Sequence, residues 1–135
     1  MRISFNNKVA VITGAAGGIG QALAVAMARE GARLALSDID MEGLARTEEL
    51  LPTGTEVRSY HLDVTDETEV FAHAEAVQQD FGSSHLLFNN AGIGRHGWFE
   101  DISGEDNDLV VDVTVKGVIN GVQACLPLLK DTQGA

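Results

Sequence analysis

One cysteine among 135 residues, Cys125, has no partner in the chain and so excludes an internal disulfide. That usage fits a reducing, cytoplasmic setting. Basic side chains are scarce as well: nine lysines and arginines face twenty aspartates and glutamates, for a formal charge of −11. Nucleic acid and anionic membrane surfaces both select basic patches, so neither is an expected partner. The acidic excess reads as solvated surface. No apolar run reads as a membrane span, and the stretch from Met1 to Lys8 has one short apolar patch without a signal-peptide core. His61, His73, His85 and His96 are scattered without ligand spacing, so no metal site is expected. What is present is an ordinary globular composition, 44% hydrophobic, long enough for a single domain over 1–135 with a real core.

The most informative stretch is Thr13-Gly14-Ala15-Ala16-Gly17-Gly18-Ile19-Gly20. It follows Val9-Ala10-Val11-Ile12, a short β-branched run of the kind that forms a buried parallel strand. After it, Ile19, Ala22, Leu23, Ala26 and Met27 recur at the spacing of one helix face. Strand, glycine turn and helix start together make a phosphate site. Amides at a helix start are unpaired, the helix dipole favours an anion, and glycine lets backbone approach a pyrophosphate.

The rest of the chain alternates regularly. Glu30-Gly31 stops the first helix, and Arg33 to Ser37 reads as a second strand ending at Asp38. A helix over about Met41 to Leu51 closes at Pro52-Thr53-Gly54-Thr55. Glu56 to Leu62 reads as a third strand. The next helix opens at Asp66 with a glutamate, Glu69, at N3, buries Val70, Ala74, Val77 and Phe81, and ends at Gly82. His85 to Phe88 is a fourth strand, running into Asn89-Asn90-Ala91-Gly92. A last helix, capped near Ser103, continues to about Lys130 and is apolar on more than one side, which requires cover beyond the sheet. Trp98 and Phe99 are expected to cover its base, and Cys125 to be a packed thiol. His96 reads as a surface histidine. Such alternation means a parallel sheet with right-handed crossovers.

The order Thr-Gly-x-x-x-Gly-x-Gly, an acid closing the second strand, Asp-Val-Thr after the third and Asn-Asn-Ala-Gly after the fourth resembles the short-chain dehydrogenases/reductases. The resemblance runs from Lys8-Val9 to Leu126-Pro127-Leu128-Leu129. It implies an α/β partial Rossmann fold, a parallel sheet in order 3-2-1-4 with helices on both faces, and an oxidoreductase moving hydride between an alcohol and a ketone through NAD(P). By the same resemblance Gly14, Gly18 and Gly20 form the turn beneath the pyrophosphate, and Ile19 adds an amide and an apolar contact. Asp38, 24 residues after Gly14, accepts the ribose hydroxyls and repels a 2′-phosphate. No arginine or lysine lies in the turn or directly after Asp38, so NAD is expected over NADP. Asp63 and Val64 hold the adenine edge. Asn90, Ala91 and Gly92 lie beside the cofactor, with Asn90 also tying strands together.

The family's proton-transfer groups have no counterpart here. They are a tyrosine, a lysine four residues later, a serine on the preceding strand and an asparagine in the helix after Asn-Asn-Ala-Gly. The one tyrosine is Tyr60, the residue four later is Val64, and Thr114 fills the asparagine slot, so no catalytic residue is assigned. Thr114 can bond back to a helix carbonyl but offers no paired amide donor and acceptor. Two readings follow. The first is the truncated NAD-binding half of such an enzyme, inactive alone and requiring its missing half to meet an alcohol or ketone. The second is a complete non-catalytic nucleotide-binding or self-assembling module. A fifth strand is expected beyond residue 135, leaving the fourth strand's edge open, so homo-oligomers are expected through that edge or the last helix.

Overall fold

The computed structural model describes residues 4–135. Met1 to Ile3, part of the apolar N-terminal patch, lie outside the described residues. Four strands, β1 (Val9–Thr13), β2 (Arg33–Asp38), β3 (Val57–His61) and β4 (Leu86–Phe88), pair in parallel in the order β3-β2-β1-β4. Between them run α1 (Gly18–Arg29), α2 (Met41–Glu49) and α3 (Glu67–Phe81). After β4 come a single 3₁₀ turn, Phe99–Asp101, and the helices α4 (Gly104–Val111) and α5 (Gly117–Thr132), joined by a π-helical segment, Asp112–Lys116.

Every residue of β1 is buried, because both of its edges are paired and both of its faces are covered. That accounts for an unbroken apolar run in place of alternation. On one face Ala10, Ile12, Leu34 and Leu36 pack against Ala24, Met27 and Ala28 of α1 and Leu44 of α2. On the other, Val9, Val11 and Ala35 meet Val77 and Phe81 of α3. A further cluster joins α3 to α5 through Val70, Ala74, Ala124, Cys125 and Leu129. Cys125 is a packed thiol as expected, and burial pushes its pKa up to about 11.

Local chemistry explains where the helices begin and end. Asp40 caps α2 by accepting from the Gly43 amide, and Asp66 caps α3 by accepting from the Glu69 amide. Gly82 closes α3 at φ +74°, a left-handed conformation that glycine adopts without strain. Glu69, at N3, serves a loop as well as its own helix. Its carboxylate reaches outward and accepts from the Asp63 amide at 3.0 Å, locking the loop after β3 onto α3. At the opposite end of the sheet Arg33 grips Glu56 through two bonds of 2.8 and 2.7 Å and lies over the Phe81 ring. This raises the arginine pKa and lowers that of the glutamate, chiefly through the hydrogen-bonded pair itself.

Four expectations change. The last helix carries the π segment, so its register shifts by part of a turn midway. Trp98 and Phe99 are about 80% exposed (79% and 82%) and do not cover its base. The outer edge of β4 is not wholly open: the Ala135 amide donates to the His85 carbonyl and the Leu87 amide donates to the Ala135 carbonyl. Finally, Gly104–Thr132 is a continuous 29-residue helical rod with an 18-residue window of mean hydropathy 1.4, the length and composition of a membrane-crossing helix. The sequence hides this because Asp112, Lys116 and Lys130 interrupt the apolar run. One side of the rod packs on α3. Along another, Val111, Val115, Ile119, Val122 and Leu126 form an exposed stripe.

His73 belongs to the inner face of α3, at the i+3 position from Val70, and stands edge-on to Tyr60 with ring centroids 5.0 Å apart. Its Nε2 has no hydrogen-bond partner, and burial lowers its pKa to about 4. The unfolded chain therefore binds a proton that the folded chain refuses between pH 6.5 and 4. Stability from this group is complete above pH 6.5 and declines as pH falls toward 4, by about 3 kcal/mol in all. Urea unfolding at pH 7.5 and 4.5 measures the loss, and His73→Leu should show a smaller decline over that range.

Candidate nucleotide-binding site

β1 ends at Thr13, and the chain turns sharply through Gly14 at φ +67°. A Cβ on Gly14 would lie 2.8 Å from the Ala91 Cα, so only glycine lets the turn and the segment after β4 meet. Gly20, one turn into α1, faces the same junction, where a Cβ would stand 2.1 Å from the Gly14 carbonyl oxygen. Helix and strand thus touch backbone to backbone. Gly17 and Gly18 are different: nothing lies within 4 Å of where their Cβ atoms would be. Space is left open above the turn, on the side where α1 begins.

That helix start has no cap. Gly17 offers no side chain and no acidic residue occupies the first turn, whereas α2, α3 and α4 are capped by Asp40, Asp66 and Ser103. Uncapped amides and the positive dipole end face the open space.

Asn90 holds the floor of the site. Its Nδ2 donates to the Thr13 and Gly14 carbonyls at 3.0 and 3.1 Å, while the Asn90 and Ala91 amides donate to the Thr13 hydroxyl. Asp38, at the end of β2, is fixed by two backbone donors: Ala16 N–H reaches Oδ2 and Asp40 N–H reaches Oδ1, both at 3.1 Å. After β3, one oxygen of Asp63 accepts from the Thr65 amide and hydroxyl, so the loop is wound tightly around its own carboxylate.

A cavity of about 230 Å³ opens between Gly14, Asp38, Asp63, Val64, Ala91 and Gly92. These are six of the ten residues expected to meet a cofactor. The other four do not line it. Gly20 and Asn90 lie beneath the turn as its support; Gly18 sits at the start of α1, and Ile19 projects beside it, 74% exposed. Leu109 and Val113 form a wall that the sequence reading did not assign. Asn120 was also missed. Its Nδ2 donates to the Val64 carbonyl at 2.9 Å, and Gly117 leaves room for the Val64 side chain, where a Cβ would stand 2.7 Å away. Only the recurrence of glycine and a carboxamide on the inward side of an apolar helix hinted at either.

Thr114 donates its hydroxyl to the Val110 carbonyl, one turn back at the π segment, and packs its methyl toward Gly92. Tyr60 lies away from the site, donating to Asp80 at 2.6 Å, and desolvation with that bond raises its pKa. His96 is exposed on the loop after β4. Among the described residues no cluster of histidine, cysteine and carboxylate could hold a metal.

A glycine turn under an uncapped helix, an acid at the end of β2 and a cavity at the β1–β4 switch point define a dinucleotide-binding α/β protein. The family model for short chain dehydrogenase matches residues 8–135, and the chain belongs to that family, an oxidoreductase lineage. It is 47% identical over 125 residues to SadH of Mycobacterium tuberculosis, covering 92% of this chain and 45% of that protein. A short-chain dehydrogenase/reductase from Burkholderia phymatum, solved with NAD, superposes with a TM-score of 0.91 at 41% identity, over 99% of this chain and 48% of the other. An alcohol dehydrogenase from Thermococcus sibiricus, complexed with 5-hydroxy-NADP, gives 0.89 at 38% identity, over 96% and 56%. The chain spans about half the length, or less, of the curated relatives it matches.

The two kinds of glycine should separate cleanly on substitution. Gly20→Ala forces backbone apart and should cost about 2–4 kcal/mol of stability. Gly17→Ala meets only open space and should stay within about 1 kcal/mol of the parent chain. Paired urea titrations compare them.

Proposed function

We propose that this chain binds NAD in preference to NADP through an adenosine and pyrophosphate half-site, and that by itself it transfers no hydride. The observation that carries the reading is the bare start of α1, set beside an open turn and a cavity ending at Asp38. An anion there would gain amide hydrogen bonds and the dipole's field without displacing any side chain. The Asp38 carboxylate, already oriented by two amides, would accept from ribose hydroxyls and repel a phosphate in place of one of them. The Asp63 loop would meet the adenine edge, held in place by Glu69 and Asn120. Leu109 and Val113 would shield the base from water.

When bound, the nicotinamide supplies the hydride acceptor or donor. This chain's own residues supply orientation and no proton. Tyr60 is committed to Asp80, and Thr114 closes on its own helix. The oxidation of an alcohol or reduction of a ketone is therefore assigned to the lineage and to a protein that adds a serine, a tyrosine and a lysine to this half. The free, buried Cys125 supports placement in the reducing cytoplasm.

Self-association is the second part of the proposal. The exposed stripe from Val111 to Leu126 runs along the face of the rod turned from the core, and an apolar face of that extent is stabilised by burial against a second copy.

Calorimetric titration of NAD and NADP tests the first part: saturable heat with NAD preferred is expected, and equal or absent binding of both would end it. Gly17→Asp gives a sharper check. The new carboxylate should cap α1, raising stability by about 0.5–1 kcal/mol, yet weaken NAD binding tenfold or more, on the order of one unit charge at close range. For the second part, size-exclusion chromatography at micromolar concentration should show a dimer or larger species, with a clean monomer as the contrary result. Val115→Glu with Ile119→Lys should release the monomer.

A further inference from the structure

Asp38 is not the only carboxylate at the end of β2. Asp40, two residues on, donates its amide to Asp38 Oδ1, and its own Oδ1 accepts from the Gly43 amide at 2.9 Å. The approach is close. A Cβ on Gly43 would stand 2.5 Å from Asp40 Oδ2 and 2.7 Å from the Ala16 Cβ, and the Ala16 amide is the second donor to Asp38. Asp40 and Ala16 therefore meet at Gly43, and the amides of both hold Asp38, which lines the cavity.

Asp40 also engages the one basic residue of α2. Arg46 Nη2 lies 3.4 Å from Asp40 Oδ2, with both side chains more than half exposed. A guanidinium on a long stem is the group best shaped to receive a phosphate by paired hydrogen bonds. Here it is turned onto a carboxylate of its own helix start.

Resting on the reading of this cavity as a cofactor site, we infer that Asp40 is a second residue selecting NAD over NADP. It acts in two ways. Its charge adds to that of Asp38 against a 2′-phosphate, and it holds Arg46 away from the phosphate that Arg46 would otherwise receive. Neither effect needs Asp40 to touch NAD, so the inference predicts a change in selectivity with little change in NAD binding.

The variant for the test is Asp40→Asn. Asparagine keeps an oxygen to cap α2 and keeps the amide that orients Asp38, while removing the charge that opposes phosphate and tethers Arg46. Calorimetric titration of NAD and NADP into the parent chain, Asp40→Asn and Asp40→Asn with Arg46→Ala reads the outcome. Asp40→Asn should improve NADP affinity relative to NAD by about tenfold at low salt, the scale of one unit charge acting at close range across solvent. That gain should shrink as ionic strength rises, which a change in helix stability alone would not produce. Adding Arg46→Ala should remove the part of the gain that Arg46 supplies and leave the part due to the lost Asp40 charge.

If the parent binds NAD and the NAD-to-NADP ratio is the same in Asp40→Asn, Asp40 is not a selectivity residue and the cofactor reading stands. If the gain survives Arg46→Ala undiminished, the role given to Arg46 is wrong. If the parent binds neither nucleotide, the cofactor reading and this inference fall together.

Discussion

The junction of β1 with the end of β4 is the constraint on which the rest of the molecule depends. Two parallel strands must part beyond their paired length to leave a crevice, and parting strands leave carbonyls and amides without partners. Asn90 and Thr13 settle that debt between them, the amide side chain serving two carbonyls and the hydroxyl serving two amides. The contact also fixes Ala91 against Gly14, which in turn requires a bare Cα at Gly14 and, one layer down, at Gly20. Everything above the junction, the open turn and the start of α1, inherits its position from these few hydrogen bonds.

The fold was legible in the sequence because its strongest signals are local. Buried parallel strands read as apolar runs, helix stops as glycines, and caps as aspartates at the right offsets. The misses share one cause, which is that a side chain's partner is chosen by tertiary structure. Glu69 sits where a capping glutamate belongs, yet serves Asp63. Trp98 and Phe99 look like core and are bare. The π segment at Asp112–Lys116 leaves no mark in the periodicity, since one shifted hydrogen bond changes no residue type.

In the site, the motif residues and the strand-tying role of Asn90 were legible, and the supports on the last helix were not. Gly14, Asp38, Asp63, Val64, Ala91 and Gly92 line one cavity. Asn120 and Gly117 stand more than fifty positions after the Val64 loop they brace, beyond the reach of any spacing rule. The distinction between a glycine that makes room for backbone and one that makes room for a ligand was likewise invisible. Gly17 and Gly20 differ by three positions, and only the space around each separates them.

The pairing of β1 with strands at very different distances along the chain bears on how the molecule assembles. Val9 lies 24 positions from Arg33, its partner on β2, and Ala10 lies 76 positions from Leu86, its partner on β4. Closing the longer loop carries about 1 kcal/mol more chain entropy, so the β1–β4 pairing is the costlier of the two to close. Asn90 arrives with it. The crevice thus depends on the costlier pairing, and any molecule that fills it, binding only the folded chain, acts as a latch that stabilises that pairing.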